Sequence, residues 1–277
     1  MSRAIYPNLR LEVFPSPFCT GCGHGILLSS IVRAIEDIGY DWDKLLFVSG
    51  IGCAAWISSP HFNADTLHTT HGRPIAFATG AALANPELKV VVISGDGDLT
   101  AIGGNHLIHA ARRNLPLTVI CADNETYGMT GGQAAPTTSV NSNTQTTPWG
   151  SEEPAFDLCK LVEGAGATFI ARRTVFQVRS LIKTLTKALK HDGFSFIDAI
   201  SPCPTHYGKM NGIPTLGDFK ENLKEIYIDK KKWERLSREE QHGKIPTGEW
   251  IPSDHSRAIS PIDVKSGTHH PDGNPGE

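Results

Sequence analysis

The chain has 277 residues, with 26 Lys and Arg against 29 Asp and Glu and a formal net charge of −3, a length that suits one large domain or two small ones. The near balance of charge gives no basic surface for nucleic acid. No apolar run approaches the ~20 residues of a membrane span. The first residues lack the apolar core of a signal peptide. Six cysteines are too few for a disulfide scaffold, so we expect a cytoplasmic protein with reduced thiols and with no membrane or nucleic-acid partner.

Short apolar runs alternate with helix-like stretches along most of the chain, which predicts an α/β fold with a mostly parallel sheet and helices on both faces. Apolar residues at helical spacing from Leu27 to Ile38 predict a helix over 25–40 that ends at Gly39. The other elements predicted in this half are a strand over 44–48, a helix over 72–84, a strand over 89–94, a helix from about 100 to 113 and a strand over 117–122.

The second half continues the alternation after a long loop. Residues 126–150 are polar and rich in glycine, and loops of that length are usually functional or disordered. We then predict a helix over 154–164, a strand over 167–171, a helix over 175–190 and a last strand over 194–200. Beyond Tyr207 the chain is rich in Lys, Glu, Pro and His. We therefore predict a main domain over 1–207 and an irregular extension over 208–277 that packs on the domain or on a partner subunit, with its final ~20 residues disordered.

Polar side chains follow two of the predicted strands. The strand over 89–94 runs into Gly95-Asp96-Gly97-Asp98, and the strand over 117–122 runs into Asp123-Asn124. Glycines let a ligand approach the main chain, and the N-terminus of the following helix attracts phosphate. Asp96 and Asn124, at the carboxyl ends of parallel strands, can supply carboxylate and amide oxygens for a Mg²⁺ site. Each motif alone is a common turn, but together they favour a site for Mg²⁺ and a diphosphate, and no P-loop or GxGxxG motif supports a nucleotide site.

The six cysteines fall into two groups. Cys19 and Cys22 form a CxxC pair, and Cys53 and Cys203 each follow a predicted strand. The CxxC pair by itself is compatible with half a zinc site, a redox dithiol or part of an iron–sulfur site. The remaining cysteines, 121 and 159, lie in apolar patterns that are typical of core positions. This division favours a site made of four thiolates.

These motifs, in this order, strongly resemble the β subunits of the 2-oxoacid:ferredoxin oxidoreductases, and the GDG motif followed by Asn resembles the thiamine diphosphate motif. The resemblance covers roughly residues 10–210. The matching stretches are FCTGCGHG (18–25), SGIGC (49–53), HGRPIAFATGAALANP (71–86), GDGDLTAIGGNHLIHAARRN (95–114), DNETYGMTGGQAAPT (123–137) and SPCP (201–204).

The resemblance implies a thiamine-diphosphate-binding fold that carries thiamine diphosphate, Mg²⁺ and one [4Fe–4S] cluster. It implies that the cluster ligands are Cys19, Cys22, Cys53 and Cys203. It implies that Asp96 and Asn124 bind Mg²⁺ through their side chains and Thr126 through its carbonyl. The residues expected to line the organic cofactor are Ile51, Gly52, Cys53, Ala54, His71, Gly97, Asp98, Gly128 and Met129.

The resemblance also implies an activity, namely oxidative decarboxylation of a 2-oxoacid, with acyl transfer to coenzyme A and electron transfer through the cluster to ferredoxin. The reverse reaction is reductive carboxylation. The glutamate that activates thiamine is expected on an α subunit, so no catalytic residue is assigned in this chain and the chain alone is expected to be inactive. His71 and Arg73, in the HGRP match, are the best candidates for ligand contacts among the polar residues between positions 56 and 73.

The substrate and the reaction class each have an alternative. The short chain and the FCTGCGHG motif look most like those of 2-oxoglutarate enzymes. Some relatives, however, carry a basic residue where this chain has Trp56. Pyruvate and branched-chain 2-oxoacids are the alternative substrates. The chain could instead belong to a non-redox thiamine-dependent decarboxylase or synthase, or be an electron-carrying subunit with a vestigial cofactor site.

Overall fold

The computed structural model describes residues 6–251, which contain a large mixed sheet, a short hairpin and helices on both faces of the sheet. The strands are β1 Leu45–Ser49, β2 Asp65–His68, β3 Lys89–Gly95, β4 Leu117–Asp123, β5 Thr126–Tyr127, β6 Gln133–Ala134, β7 Phe169–Thr174, β8 Ser195–Ile200, β9 Tyr227–Asp229 and β10 Ile245–Trp250. The α-helices are α1 His24–Ile38, α2 Pro74–Ala84, α3 Asp96–Thr100, α4 Gly104–Arg112, α5 Leu158–Ala165, α6 Val178–Lys190, α7 Leu216–Ile226, α8 Lys230–Trp233 and α9 Arg238–Gln241.

The eight-stranded sheet has the order β2-β1-β3-β4-β8-β7-β10-β9. Its first six strands are parallel, whereas β10 pairs antiparallel with β7 and parallel with β9. In the centre of the sheet, Ser94 pairs with Cys121, which pairs in turn with Asp198. The carboxyl ends of β1, β3, β4 and β8 therefore lie side by side at one edge, where ligands bind in open α/β sheets.

Apolar side chains cover both faces of the sheet. On one face, α1 and α6 pack against the strands, and α1 buries the predicted stripe at Leu27, Ile31 and Ile35. On the other face lie α2, α4 and α5. Strand β3 is buried on both faces, which explains its uninterrupted run of branched apolar residues. The predicted α/β fold with a mostly parallel sheet is confirmed.

The predicted helix from about 100 to 113 is wrong at its start. A short helix, α3, begins directly at Asp96, and α4 follows only after a break at residues 101–103. At the break the chain crosses close to its own backbone, because a Cβ on Gly103 would lie 2.3 Å from the Asp98 carbonyl oxygen. The amide-rich N-terminus that faces the sheet edge therefore belongs to α3.

The prediction that 194–200 is the last strand is also wrong. Residues 208–251, the described part of the extension, form three α-helices and two further strands, and β10 joins the main sheet beside β7. The described part of the extension is thus more regular than its composition indicates, because pairing with an existing edge strand supplies hydrogen bonds that a local pattern does not reveal. The predicted disorder of the final ~20 residues lies outside the described residues.

The long loop over 126–150 contains only the small hairpin of β5 and β6 as regular structure. Its remaining turns are held by side-chain hydrogen bonds, such as that between the hydroxyl groups of Thr144 and Thr147 at 2.7 Å. Thr144 is fully buried, so the segment packs against the domain as an ordered loop. Among residues 6–251, no helix is long and apolar enough to span a membrane.

Candidate functional site

Two adjoining cavities lie at the carboxyl edge of the sheet, in the segments that follow β1, β3, β4 and β8. Lining residues come from 51–56 in the first of these segments, 95–98 in the second, 124–130 in the third and 203–206 in the fourth. The CxxC pair reaches the same edge from the turn that precedes α1. The four strand ends thus bring together sequence segments that are far apart in the chain.

The first cavity has a volume of about 240 Å³ and is lined by all four of the cysteines singled out from the sequence. Cys19 is exposed and Cys203 is buried, and all of these thiols are free. The remaining lining residues are Pro17, Phe18, Trp56, Asn124, Gly128, Met129, Pro204, Thr205 and His206. In contrast, Cys121 and Cys159 belong to the apolar core beneath the sheet, as expected. The structure brings the four thiols together; that they bind a cluster stays a prediction.

The environment of Cys22 and Cys53 favours their protonated forms. Burial, together with repulsion from neighbouring thiols that include Cys203, raises the pKa of each to about 12. A thiol with such a pKa becomes a thiolate only when a cation replaces its proton. The cavity therefore has the chemistry of a site for a cationic, thiolate-bound group.

The arrangement does not suit a single metal ion. Within residues 6–251, no three His, Cys, Asp or Glu side chains converge on the position of one ion. A zinc ion needs its thiolates at ~2.3 Å from a single point, whereas each thiolate of a [4Fe–4S] cluster binds a separate iron atom. Four thiols spread around one cavity therefore fit a cluster better than a zinc ion. The zinc site was one of the interpretations that the CxxC pair alone allowed.

The second cavity, of about 250 Å³, is lined by every residue that the sequence predicted for Mg²⁺ and for the organic cofactor. It shares Cys53, Asn124, Gly128 and Met129 with the first cavity. Gly128 leaves this boundary open: a Cβ at this position would lie 3.6 Å from the Cys53 sulfur and 3.7 Å from the Cys203 sulfur. The full lining is Ile51, Gly52, Cys53, Ala54, His71, Gly95, Asp96, Gly97, Asp98, Asn124, Thr126, Tyr127, Gly128, Met129 and Thr130.

Asp96 and Asn124 place two oxygen donors in this second cavity. Asp96 is the first residue of α3 and is buried, and burial raises the pKa of its carboxyl group to about 6. The hydroxyl group of Thr137 donates a hydrogen bond to one of its oxygens. The Asn124 side-chain oxygen accepts a hydrogen bond from the Thr126 amide at 3.2 Å. A buried carboxylate and an amide oxygen beside a helix N-terminus fit a Mg²⁺ ion with its attached phosphates.

Asp98 holds the walls of this cavity in place. Its buried carboxylate accepts hydrogen bonds from the amide groups of Gly72 at 2.7 Å and Ile51 at 3.3 Å, and from the Ser94 hydroxyl at 2.5 Å. It also lies 2.6 Å from Nδ1 of His71. One side chain thus fastens the loop after β1 and the turn before α2 to the end of β3. This contact places His71 on the cavity wall.

Close packing beside Asp96 requires Gly97. A Cβ on Gly97 would lie 2.4 Å from the ring of Tyr127, which lines the same cavity and donates a hydrogen bond to the Gly97 carbonyl at 3.3 Å. The GDG motif therefore does more than permit a turn, because it lets an aromatic ring close one side of the cavity.

Other polar residues considered in the sequence have different surroundings. The Arg73 guanidinium donates to the carbonyl groups of Gly72 and Ile102, so it braces the break before α4. His61 stacks on Phe18, with ring centroids 5.3 Å apart. Among the polar and aromatic residues considered between positions 56 and 73, Trp56 is the one that lines the first cavity. These backbone contacts give Arg73 a structural role, and its expected contact with a ligand stays a prediction.

Glu125 does not serve either cavity. Its buried carboxylate accepts hydrogen bonds from the hydroxyl groups of Ser139 at 2.7 Å and Tyr207 at 3.0 Å. These bonds join the long loop to the segment that follows Cys203. The Glu125 carboxylate is therefore engaged in the packing of the long loop and lines neither cavity.

Several side chains at the site were missed from the sequence, namely Ser94, Tyr127, Thr137 and His24. Thr137 lies 41 positions from its partner Asp96, and no local pattern signals such a contact. His24 directly follows the CxxCG motif, which could have marked it as a neighbour of the thiols.

Comparisons with known proteins agree with this geometry. Residues 50–199 match the family model of the thiamine pyrophosphate enzyme C-terminal TPP binding domain. The chain is 48% identical to the 2-oxoglutarate synthase subunit KorB of Methanothermobacter thermautotrophicus, over 94% of this chain and 92% of that protein. It is 42% identical to the 2-oxoacid:ferredoxin oxidoreductase subunit beta of Saccharolobus solfataricus, over 71% of this chain and 65% of that protein.

Among solved structures, the chain is similar to the 2-oxoglutarate:ferredoxin oxidoreductase of Magnetococcus marinus with 2-oxoglutarate, coenzyme A and succinyl-CoA bound. The TM-score is 0.80 at 30% sequence identity, and the match covers 94% of this chain and 88% of that one.

Proposed function

Because the chain belongs to the β subunits of the 2-oxoacid:ferredoxin oxidoreductases, we propose that it binds thiamine diphosphate with Mg²⁺ and one [4Fe–4S] cluster and acts on 2-oxoglutarate. It is a subunit of a multi-subunit oxidoreductase and contains a thiamine-pyrophosphate-binding domain. The observation that carries the proposal is the pair of adjoining cavities, one lined by four thiols and the other by the Asp96 and Asn124 oxygens.

The second cavity is the proposed site of Mg²⁺ and thiamine diphosphate. Asp96 and Asn124 would bind the ion through their side chains and Thr126 through its carbonyl, and the backbone amides at the start of α3 would favour the negative charge of the phosphates. When bound, thiamine diphosphate supplies the electron sink for decarboxylation of a 2-oxoacid. The work of this chain is to hold that cofactor, with Asp98 keeping the surrounding loops in position.

The first cavity is the proposed cluster site, with Cys19, Cys22, Cys53 and Cys203 as ligands. When bound, the cluster accepts single electrons and passes them to ferredoxin. Support for this site comes from the number, free state and common cavity of the thiols. Reduced thiols fit the cytoplasmic location that we also propose.

An α subunit is the proposed partner at the thiamine cavity. The rim of this cavity exposes large apolar side chains, with 43% of Ile51 and 49% of Met129 accessible, and the exposed Ile102 lies beside Gly72, which precedes α2. Exposed apolar groups at a site rim are typical of an interface. We propose that the partner covers them and supplies the glutamate that activates thiamine, so the isolated chain is inactive.

The substrate proposal rests on the relatives. Four of the most similar proteins are 2-oxoglutarate synthase subunits, and the similar solved structure contains 2-oxoglutarate and coenzyme A. We therefore propose 2-oxoglutarate, coenzyme A and ferredoxin as reactants, with reductive carboxylation as the reverse reaction. Pyruvate and branched-chain 2-oxoacids, which have a single carboxylate, are the alternative substrates. Trp56, on the wall of the first cavity, offers no positive charge to the second carboxylate of 2-oxoglutarate.

The test is anaerobic co-expression with the α subunit, followed by reduction of a viologen dye with each of the three substrate types. We expect brown protein that dithionite bleaches, and dye reduction that requires coenzyme A and is fastest with 2-oxoglutarate. Faster reduction with pyruvate would overturn the substrate proposal alone. Colourless, iron-free complex that still decarboxylates 2-oxoacids would instead identify a non-redox thiamine enzyme, and iron-containing complex without thiamine binding would identify an electron carrier.

A further inference from the structure

We propose that His24 is a positioning residue for the cluster: it donates a hydrogen bond through Nε2 to the sulfur of Cys53 and thereby raises the reduction potential of the cluster. This inference rests on the proposed function, since it requires a cluster in the first cavity. It concerns a side chain that is not itself a proposed ligand and that was not singled out from the sequence.

The geometry places His24 between two partners. It is the first residue of α1 and its side chain is fully buried. Nε2 lies 3.3 Å from the sulfur of Cys53, and Nδ1 lies 2.7 Å from the hydroxyl oxygen of Ser201, which is also fully buried. The Phe18 ring packs edge-on against the imidazole at 5.6 Å. Both ring nitrogens are thus occupied, and water has no access to them.

The chemistry of the partners sets the direction of both hydrogen bonds. A Cys53 thiolate that binds iron can only accept, so Nε2 must carry the hydrogen. A neutral imidazole then accepts at Nδ1, and the Ser201 hydroxyl is the donor there. The serine therefore selects the imidazole tautomer that bonds to sulfur.

His24 also connects the segments that carry the four thiols. It lies two positions after Cys22, contacts Cys53 after β1, and contacts Ser201, which lies two positions before Cys203. The contact with the last segment is close, because the Gly23 amide donates to the Pro202 carbonyl at 3.1 Å. One buried ring thus fixes the relative positions of all three segments.

A hydrogen bond to a ligating sulfur withdraws electron density from the cluster and stabilises its reduced form. Cys53 is the thiol that lines both cavities. His24 therefore acts on the ligand that faces the thiamine cavity, where electrons enter. Without this bond, the cluster should become a weaker electron acceptor.

The test uses the anaerobic αβ complex and two variants. His24→Gln keeps an N–H group near the position of Nε2, whereas His24→Leu fills similar space without a donor. The readouts are iron per complex and the midpoint potential from an EPR-monitored redox titration. We expect wild-type iron in both variants, a more negative potential for His24→Leu and a nearly wild-type potential for His24→Gln. His242→Leu, which makes the same replacement at an exposed position outside both cavities, is the matched control and should keep the wild-type potential.

Each outcome decides between the two proposals. Wild-type complex without iron would overturn the proposed function, and this inference with it. Iron-containing His24→Leu with an unchanged potential would overturn the role of His24 alone. If His24→Leu loses its iron, the deciding measurement uses wild-type and His24→Gln complexes labelled with [¹⁵N]histidine. We expect a ¹⁵N hyperfine coupling to the reduced cluster in wild type that His24→Gln lacks. Absence of this coupling from wild type would overturn the inference.

Discussion

The side-chain amide nitrogen of Asn124 lies 3.9 Å from the sulfur of Cys53. These residues follow β4 and β1, which lie on either side of β3 in the sheet. Both side chains line both cavities. A contact between two side chains, rather than a layer of protein, therefore separates the proposed magnesium site from the proposed cluster site. Such proximity suits direct electron transfer between the two centres.

Replacing Cys203 with serine should abolish the cluster, because three thiolates leave one corner of the site without its ligand. We expect iron per complex to fall to a small fraction of the wild-type value, together with dye reduction. Iron analysis and EPR of the anaerobic αβ complex measure the change. Cys159→Ala is the matched control: this thiol lies in the core, so its loss should leave the iron content unchanged. Normal iron in the Cys203→Ser complex would exclude this residue as a ligand.

Replacing Asp96 with asparagine should weaken cofactor binding and stabilise the cofactor-free protein. Burial raises the pKa of Asp96 to about 6, so at neutral pH the folded state contains a carboxylate whose ionisation opposes folding. That penalty is present above pH ~6 and absent below pH ~4, and asparagine removes it, which we expect to contribute about 1–2 kcal/mol. Binding of Mg²⁺ with thiamine diphosphate should weaken at least about ten-fold, because the anionic ligand is lost.

Isothermal titration of the αβ complex with Mg²⁺ and thiamine diphosphate, and thermal unfolding in EDTA, measure these two effects. Asp43→Asn, at an exposed position, is the control and should change neither. Unaltered affinity in Asp96→Asn would contradict the proposed magnesium site, whatever the change in stability.

Replacing Asp98 with asparagine should destabilise the protein, in contrast to the change at Asp96. The Asp98 carboxylate accepts hydrogen bonds from Gly72, Ile51 and Ser94 and pairs with His71. An amide group in the same place turns one acceptor into a donor that faces other donors, and a buried mismatch of this kind costs about 2–4 kcal/mol. Differential scanning calorimetry of the complex should show a lower midpoint, and a midpoint equal to that of wild type would show that the loops are held by other contacts.

Replacing Lys89 with methionine should stabilise the protein at neutral pH. Burial lowers the pKa of Lys89 to about 8, although Asp192 partly opposes the shift. Its Nζ donates a long hydrogen bond, of 3.4 Å, to the His191 carbonyl. The unfolded chain keeps its proton up to pH ~10.5, so the penalty is complete below pH ~8 and fades between pH ~8 and ~10.5. We expect a gain of about 1–2 kcal/mol at pH ~7 that shrinks as pH rises.

Denaturation of wild type and Lys89→Met at several pH values measures this trend. Lys44→Met, at an exposed position, is the control and should show little change at any pH. A gain that stays constant up to high pH would mean that apolar packing, and not loss of a buried charge, explains the stabilisation.

The sequence by itself determined the central strands β1, β3, β4 and β8, their polar ends and the residue types of the site. The uninterrupted branched apolar run of β3 marks a strand that is buried on both faces, and such a run can be recognised without knowing which strands are its neighbours. The GDG motif, Asn124 and the four cysteines stood out because each directly follows a strand or precedes a helix. For the same reason, the boundaries of α1 were close to those observed.

Only the tertiary structure decided which of these residues meet. The strand order places β1, β3, β4 and β8 side by side, and this order, not spacing in the chain, brings Cys203 into one cavity with Cys19 and Asn124 beside Cys53. Thr137 contacts Asp96 from 41 positions away, and Ser201 contacts His24 from 177 positions away. Local patterns cannot reveal them, because such contacts form only after the whole sheet has assembled and buried the polar groups that must then find partners.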